Sequence, residues 1–353
     1  MDRQTQSELQ THLNAIAAIL FKEADPADLK TLGGIEKSVR GLAQEHVLPQ
    51  LGIFFIDSAT ETRPGKTRVI TSILGELHLS QSQAEQLHVK PRSRWSPYLE
   101  RCCLLVSANA SYQRAEEDIE VLTGITVSHS TLQRLVQRQA WPEVVLTRPI
   151  EEMSLDGGMI RLRTEAGTPC EWRDYKALAI HDQAGVAFFK DNEGLIHWAN
   201  RQPRTTPFTG LGDGHNGVWN ILTQIGTTRE RIEILDWFHL MENAHKVQAT
   251  PTQLKAVRDH LWQGQVTLAI QVLQNYRCLG ASTFIQYLRH HQHRIIHYQA
   301  WQAAGHSIGS GQVESFVKQI SLRVKLPGAQ WLPQNVPKLL KHRCAYLNGA
   351  FAP

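Results

Sequence analysis

Three acidic residues stand in settings that suit metal-dependent phosphoryl chemistry. They are Asp156 in Ser154-Leu155-Asp156-Gly157-Gly158, Asp213 in Leu211-Gly212-Asp213-Gly214-His215, and Glu314 in Gly309-Ser310-Gly311-Gln312-Val313-Glu314-Ser315. Hard divalent ions such as Mg²⁺ take oxygen ligands, and Mg²⁺ keeps waters that phosphate oxygens can displace. Two such ions about 3.5–4 Å apart activate an attacking hydroxyl and stabilise the leaving oxygen of a phosphodiester. This chemistry needs carboxylates on rigid elements and no protein nucleophile. Each acid also has a plainer reading. Glu314 can be the N3 residue of a glycine-led helix start, paired with Lys318. Asp213-Gly214 can be a turn that caps the next helix, and Asp156 a hairpin residue. With 33 acids in the chain some such trio is always available, so the surrounding elements must decide.

Around Glu314, Val313, Phe316, Val317 and Ile320 recur at i, i+3, i+4 and i+7, the mark of one buried helical face. Glu314 lies about 100° from Val313, at the edge of that stripe. Beyond it the chain carries no Asp or Glu, while Lys318, Arg323, Lys325, Lys338, Lys341 and Arg343 are basic. An acid-free basic tail predicts a phosphate-binding surface. Around Asp156, Met153 and Leu155 alternate, Gly157-Gly158 predicts a turn, and Ile160 and Leu162 predict the return strand of a β-hairpin. Tyr175 to Ile180 and Val186 to Phe189, joined by residues 182–185, predict a second strand pair. Phe208 to Leu211 leads into Asp213-Gly214, and a helix follows with Val218, Ile221, Leu222 and Ile225 on one face. Ile232 to Leu235 predicts a short buried strand ending at Asp236, and a helix from Trp237 carries Leu240, Met241, Ala244 and Val247. Pro251 to Trp301 is helical in pattern throughout. Strands, then strand–helix units and a final packing helix, predict a mixed α/β sheet with flanking helices and an all-helical insertion.

The 353 residues are long for one domain, and 42% apolar with 20% charged residues is ordinary for chains that bury real cores. The first 97 residues predict a mainly helical region, with Leu9, Leu13, Ile16 and Leu20 at helical spacing, a break at Asp25-Pro26, strands within Thr67 to Leu79, and a basic linker over residues 91–97. Ala115 to Leu122 predicts a helix with Ile119 and Leu122 inward, ended by Gly124. Ser128 then caps a second helix, His129 to Arg138, with Leu132, Leu135 and Val136 buried. Such a pair is either a common structural unit or a helix-turn-helix whose second helix reads the major groove. In the second case Arg134 and Arg138, at i and i+4, contact bases or phosphates of DNA. The basic excess, 37 against 33, is small, so its distribution matters more than its size. Residues 289–293 hold three histidines, read as a solvated basic helix face or a metal site. Five cysteines, Cys102, Cys103, Cys170, Cys278 and Cys344, show no Cys-x-x-Cys pairing, which points to reduced thiols. With no signal peptide and no apolar run of spanning length, a cytoplasmic protein with no membrane partner is expected.

The three acid motifs, in this order and context, resemble the Asp, Asp and Glu motifs of DDE transposases from bacterial insertion sequences, and among them the Kra-type group. Asp236-Trp237-Phe238-His239 is similar to the Asp-or-Cys-x-x-His element that follows the second Asp there, and residues 323–331 are similar to the tail after the Glu. The likeness covers roughly residues 100 to 345. Unlike members of that group, this chain has no cysteine pair ahead of the helix pair, so no N-terminal zinc module is expected. The resemblance implies an RNase H-like catalytic domain over 149–248 and 302–345, a helical insertion over 249–301, and a helix-turn-helix unit over 98–148 after the region 1–97. It implies Asp156, Asp213 and Glu314 as ligands of two Mg²⁺ or Mn²⁺ ions and His239 as a further catalytic residue. Arg134, Arg138, Lys318, Arg323 and Lys325 would contact DNA. The implied activity is cleavage at transposon-end DNA and strand transfer to target DNA by a homo-oligomer, associated with the bacterial nucleoid. Two rival readings are an RNase H-like nuclease and a catalytically inert or domesticated sequence-specific DNA-binding protein.

Overall fold

Helix-start chemistry organises the first of two units, Met1–Arg138. Asp2 caps α1 (Arg3–Glu23) and Thr31 caps α2 (Leu32–Leu42), each through a backbone N–H of the first turn. Pro49 lies in the opening turn of α3 (Leu48–Thr60). The computed structural model describes residues 1–275 and 279–351. The apolar residues of α1 fall at helical spacing, yet the helix buries none of them. β1 (Arg68–Ser72) and β2 (Gly75–Leu79) pair antiparallel, with Ile70, Leu77 and Leu79 over Ala84 of α4 (Gln81–Gln86). Residues 91–97, expected as a linker, instead pair back onto β1: the Thr71 N–H donates to Arg94 and the Ser96 N–H to Thr71. Three helices close the unit: α5 (Pro97–Ser107), α6 (Tyr112–Thr123) and α7 (His129–Arg138). Leu99, Ala115, Ile119, Leu132, Leu135 and Val136 are among their buried residues, whereas Leu122 is exposed. Gly124 ends α6 at φ 75°, a left-handed conformation that glycine takes without strain.

The second unit, Gln139–Pro353, is built on a mixed sheet of β3 (Ile150–Leu162), β4 (Glu171–Ile180), β5 (Ala184–Phe189), β6 (Arg204–Gly212) and β7 (Arg231–Leu235). The order is β5-β4-β3-β6-β7, with β3, β4 and β5 antiparallel and β6 and β7 parallel to β3. The predicted hairpin at Gly157-Gly158 is corrected: β3 runs straight through both glycines. Gly158 answers a packing demand, not a turn. Gly158 pairs with Tyr175, and a Cβ there would lie 2.2 Å from the tyrosine ring.

Helices cover both faces: α8 (Asn192–Arg201), α9 (Asn216–Leu222), α10 (Trp237–His245), α11 (Pro251–Trp262), α12 (Val266–Asn275), α13 (Ala281–His290), α14 (Tyr298–Ala303), α15 (Gly311–Val324) and α16 (Val336–Leu347). One face buries Leu155, Leu178 and Phe208 with residues of α8, α9 and α10, and α11 to α14 extend that same core. The other face sets Ile160, Tyr175 and Ala177 against Val313, Phe316 and Ile320 of α15 and Leu339 and Leu340 of α16. Cys102, Cys103, Cys170 and Cys344 are free thiols, and Cys278 lies outside the described residues. Among the described residues no helix is long and apolar enough to cross a membrane.

Candidate carboxylate site

Strand register explains why the acids meet. Leu155 pairs with Gly212 and Gly212 pairs with Leu235, so the next residue on each strand, Asp156, Asp213 and Asp236, forms one row across β3, β6 and β7. Neighbouring strands lie about 4.8 Å apart, which crowds like charges. Helix α15 packs on β3 and β4 and supplies Glu314 from its first turn. The segment before it is tied to the start of α10. The Trp237 N–H donates to the Ile308 carbonyl at 2.9 Å, and both the N–H and the hydroxyl of Ser310 donate to Asp236 Oδ2, the latter at 2.6 Å. Ser310 Oγ also lies 3.4 Å from Glu314 Oε1. His239, one turn after Asp236, donates its N–H to Asp236 Oδ1 at 2.9 Å, and its Nδ1 stands 3.5 Å from that oxygen and 3.8 Å from Glu314 Oε1.

The row is not uniform. Asp236 is fully buried, its Oδ2 takes two donors and its Oδ1 one, so it is a saturated helix cap. Burial would raise its pKa, but the hydrogen bonds from His239 and Ser310 outweigh that and hold it low. Asp156 goes the other way: burial raises it, the Gly157 N–H at 2.6 Å offsets only part, and the nearby Asp213 and Glu314 charges push it further up. The Asp236 carboxylate, 3.5 Å from Nδ1, comes first among the causes that lift the His239 imidazole to about 9, with the Glu314 and Asp213 charges adding to it against burial. Asp213 Oδ1 accepts from the His215 N–H at 2.9 Å. Ligand atoms of Asp236, His239 and Glu314 lie within 4.8 Å of one another. Asp156, Asp213 and Glu314 do not form such a group among the described residues, although Asp156 lies near enough to Asp213 and Glu314 for both charges to raise it. An oxygen-rich donor set fits a hard divalent ion.

The basic residues divide by burial. Lys318 is 80% exposed and 3.8 Å from Glu314 Oε2, the pairing its spacing suggested. Lys325 and Lys341 are exposed, while Lys338 is half-buried and donates to the Gln139 carbonyl at 3.3 Å. Arg323 is corrected: it is fully buried, stacked 5.0 Å from the Trp331 ring, and presents no charge to a surface phosphate. Arg343 is buried too, donating to the Gln319 carbonyl. On α7, Arg134 is exposed and bonds within its own helix, whereas Arg138 reaches the buried Glu100 carboxylate at 2.6 Å. The histidines of 289–293 do not share one solvated face: His291 is buried and lowered to about 4, chiefly by burial. Two polar groups near the acid row escaped the sequence reading. Glu152, on the same face of β3 as Asp156, had its spacing as a signal. Tyr287, in α13, had none. No protein-family model and no curated protein matches the chain.

Proposed function

We propose that this chain is a DNA transposase of the DDE type, with an RNase H-like catalytic domain in its second unit and a helix-turn-helix formed by α6 and α7. The observation that carries the reading is the acid row: Asp156 and Asp213 follow paired residues on parallel strands, and α15 supplies Glu314 beside His239. Support for the fold comes from the antiparallel β3-β4-β5 meander, followed by two strands parallel to β3 and by helices on both faces.

Asp156, Asp213 and Glu314 would hold Mg²⁺ or Mn²⁺, and a pair of such ions supplies activation of the attacking hydroxyl and stabilisation of the leaving oxygen. The chain's own part is positional. β3 and β6 fix two carboxylates on rigid backbone, and Asp236, through Ser310, anchors the start of α15 and with it Glu314. His239, its imidazole raised to about 9 by the carboxylates around it, stands at the rim of the acids. Water attacks a phosphodiester at the transposon end and the 3′-oxygen leaves. That freed 3′-hydroxyl then attacks a phosphodiester of target DNA, whose own 3′-oxygen leaves. Positioning and charge neutralisation carry both steps. On DNA the protein works as a homo-oligomer at the bacterial nucleoid.

The test is cleavage of a duplex carrying the DNA that flanks the gene, with Mg²⁺ or with EDTA. Strand breaks at the ends in Mg²⁺ and none in EDTA are expected. End binding without cleavage in Mg²⁺ or Mn²⁺ would leave an inert DNA-binding protein, and cleavage without end preference a nuclease.

A further inference from the structure

The helical insertion brings one side chain to the acid row. Tyr287, on α13, lays its ring against Gly214, the residue after Asp213. A Cβ at Gly214 would lie 2.3 Å from both Tyr287 Oη and Cε2, so the hydroxyl rests directly on the backbone beside that carboxylate. The ring is held from behind by Phe284, stacked at 6.1 Å between centroids, and by His291 at 4.7 Å. Position and orientation are therefore fixed by packing.

The hydroxyl itself is unpaired. Tyr287 Oη is buried and makes no hydrogen bond among the described residues. The Asn243 side chain is close enough to affect the phenol but outside hydrogen-bond geometry, and its own bonds run to the His239 carbonyl at 3.1 Å and from Lys246 Nζ at 2.7 Å. A buried hydroxyl left unpaired costs roughly 1–3 kcal/mol. A phenylalanine would fill the same space over Gly214 without that cost, so packing alone does not account for a tyrosine. Burial, with the Asp213 and Asp236 charges adding to it and the Asn243 side chain working against it, raises the phenol to about 12. It keeps its proton at working pH and so has an O–H to donate.

We propose that Tyr287 is a substrate-contacting residue contributed by the insertion, its hydroxyl donating to a non-bridging phosphate oxygen of the DNA strand that enters the carboxylate cleft. The inference rests on the reading of a phosphodiester as substrate. The acceptor is missing from the protein because the substrate brings it. A donor placed beside the Asp213 carboxylate meets charge that grows on the phosphate oxygens during transfer, where fixed donors act most strongly.

Two measurements on the full chain test this. The first is single-turnover cleavage of the transposon-end duplex in Mg²⁺ by Tyr287→Phe. The expected result is a rate constant at least tenfold below the parent, with end-DNA affinity and Tm unchanged. Placing sulfur at the one non-bridging oxygen that the hydroxyl meets slows the parent but not the variant. The second replaces Tyr287 by 3-fluorotyrosine and follows its ¹⁹F resonance on adding end DNA with Ca²⁺, which needs no turnover. A shift on DNA addition is expected. Parent-like cleavage by Tyr287→Phe, or a ¹⁹F signal that DNA does not move, overturns the proposal. If the parent does not cleave at all, the transposase reading fails on its own, and the ¹⁹F titration still decides whether DNA reaches this hydroxyl.

Discussion

Glu152 and Asp156 sit four residues apart on the same face of β3, and their surroundings treat them in opposite ways. Glu152 is met on every side by donors of its own chain: the Ser307 N–H at 3.2 Å, the Ser307 hydroxyl, His181 Nδ1 at 3.2 Å and His306 Nδ1 at 3.4 Å. Ser154 supports the far nitrogen of His181 at 3.0 Å. Burial would raise Glu152, but these bonds outweigh it and bring the carboxyl down to about 2. Asp156 has one backbone N–H and acidic neighbours, and its pKa rises. A buried carboxylate saturated by its own protein is structural. One left among like charges, with few donors of its own chain, is the acid at which we propose that a cation enters. The same division separates Asp236, a saturated cap, from Asp213 in the next place along the row.

The largest effect expected from this contrast is on chemistry. Asp213→Ala should cut the cleavage rate on the order of a thousandfold, since removing a cation ligand takes away several kcal/mol of transition-state stabilisation. End-DNA binding, measured by gel shift, should stay near the parent value. A variant that still cleaves would move Asp213 to the structural side of the division.

Next comes stability. The fall of Glu152 from its ordinary 4.5 to about 2 is worth on the order of 3 kcal/mol. Because the folded value is depressed, that contribution is complete above pH 4.5 and is lost as pH falls towards 2. Glu152→Gln should therefore lower Tm clearly at pH 7 and by far less near pH 3. Equal losses at both pH values would mean that the carboxylate charge is not what holds the Ser307 segment.

Asp156 should show the reverse sign. Its folded pKa is raised, so ionisation costs stability at neutral pH, and the cost is relieved as pH falls through the folded value. In EDTA, Asp156→Asn should match or exceed the parent Tm at pH 7. A clear drop would show that the charge is satisfied after all.

The smallest effect separates the basic residues. Lys318, Lys325 and Lys341 together to Ala should flatten the salt dependence of DNA binding, by about 0.9 in the log–log slope for each phosphate that the variant leaves unneutralised. Arg323→Ala should instead lower Tm without changing that slope. A changed slope in the Arg323 variant would put the guanidinium on the DNA surface and contradict its burial.

Part of the sheet was legible because two buried strands end abruptly at acids, Gly212 before Asp213 and Leu235 before Asp236, whereas β3 runs on through Asp156 to Leu162. What the pattern did not carry was register, and register alone makes these acids neighbours. Gly157-Gly158 misled because a glycine pair reads as a turn, while the real function of Gly158 is to admit a tyrosine from β4. Arg323 misled by its charge. It follows Phe316 and Ile320 at i+7 and i+3, on the buried stripe, so spacing outweighed residue type there. On α7 the periodic residues were buried as expected, but the Glu100 that engages Arg138 comes from α5, and no local pattern points to it. Tyr287 reaches Gly214 from a distant helix, through packing that a one-dimensional pattern does not encode.

The most direct test of the central claim sets the two carboxylates of β3 side by side. Cleavage of a labelled transposon-end duplex in Mg²⁺ would be compared for the parent, Asp156→Ala and Glu152→Gln, at a temperature where thermal unfolding shows all three folded. The division predicts no cleavage by Asp156→Ala, most of the parent rate for Glu152→Gln, and none by any of them in EDTA. Parent-like cleavage by Asp156→Ala, or cleavage by the parent in EDTA, would contradict it.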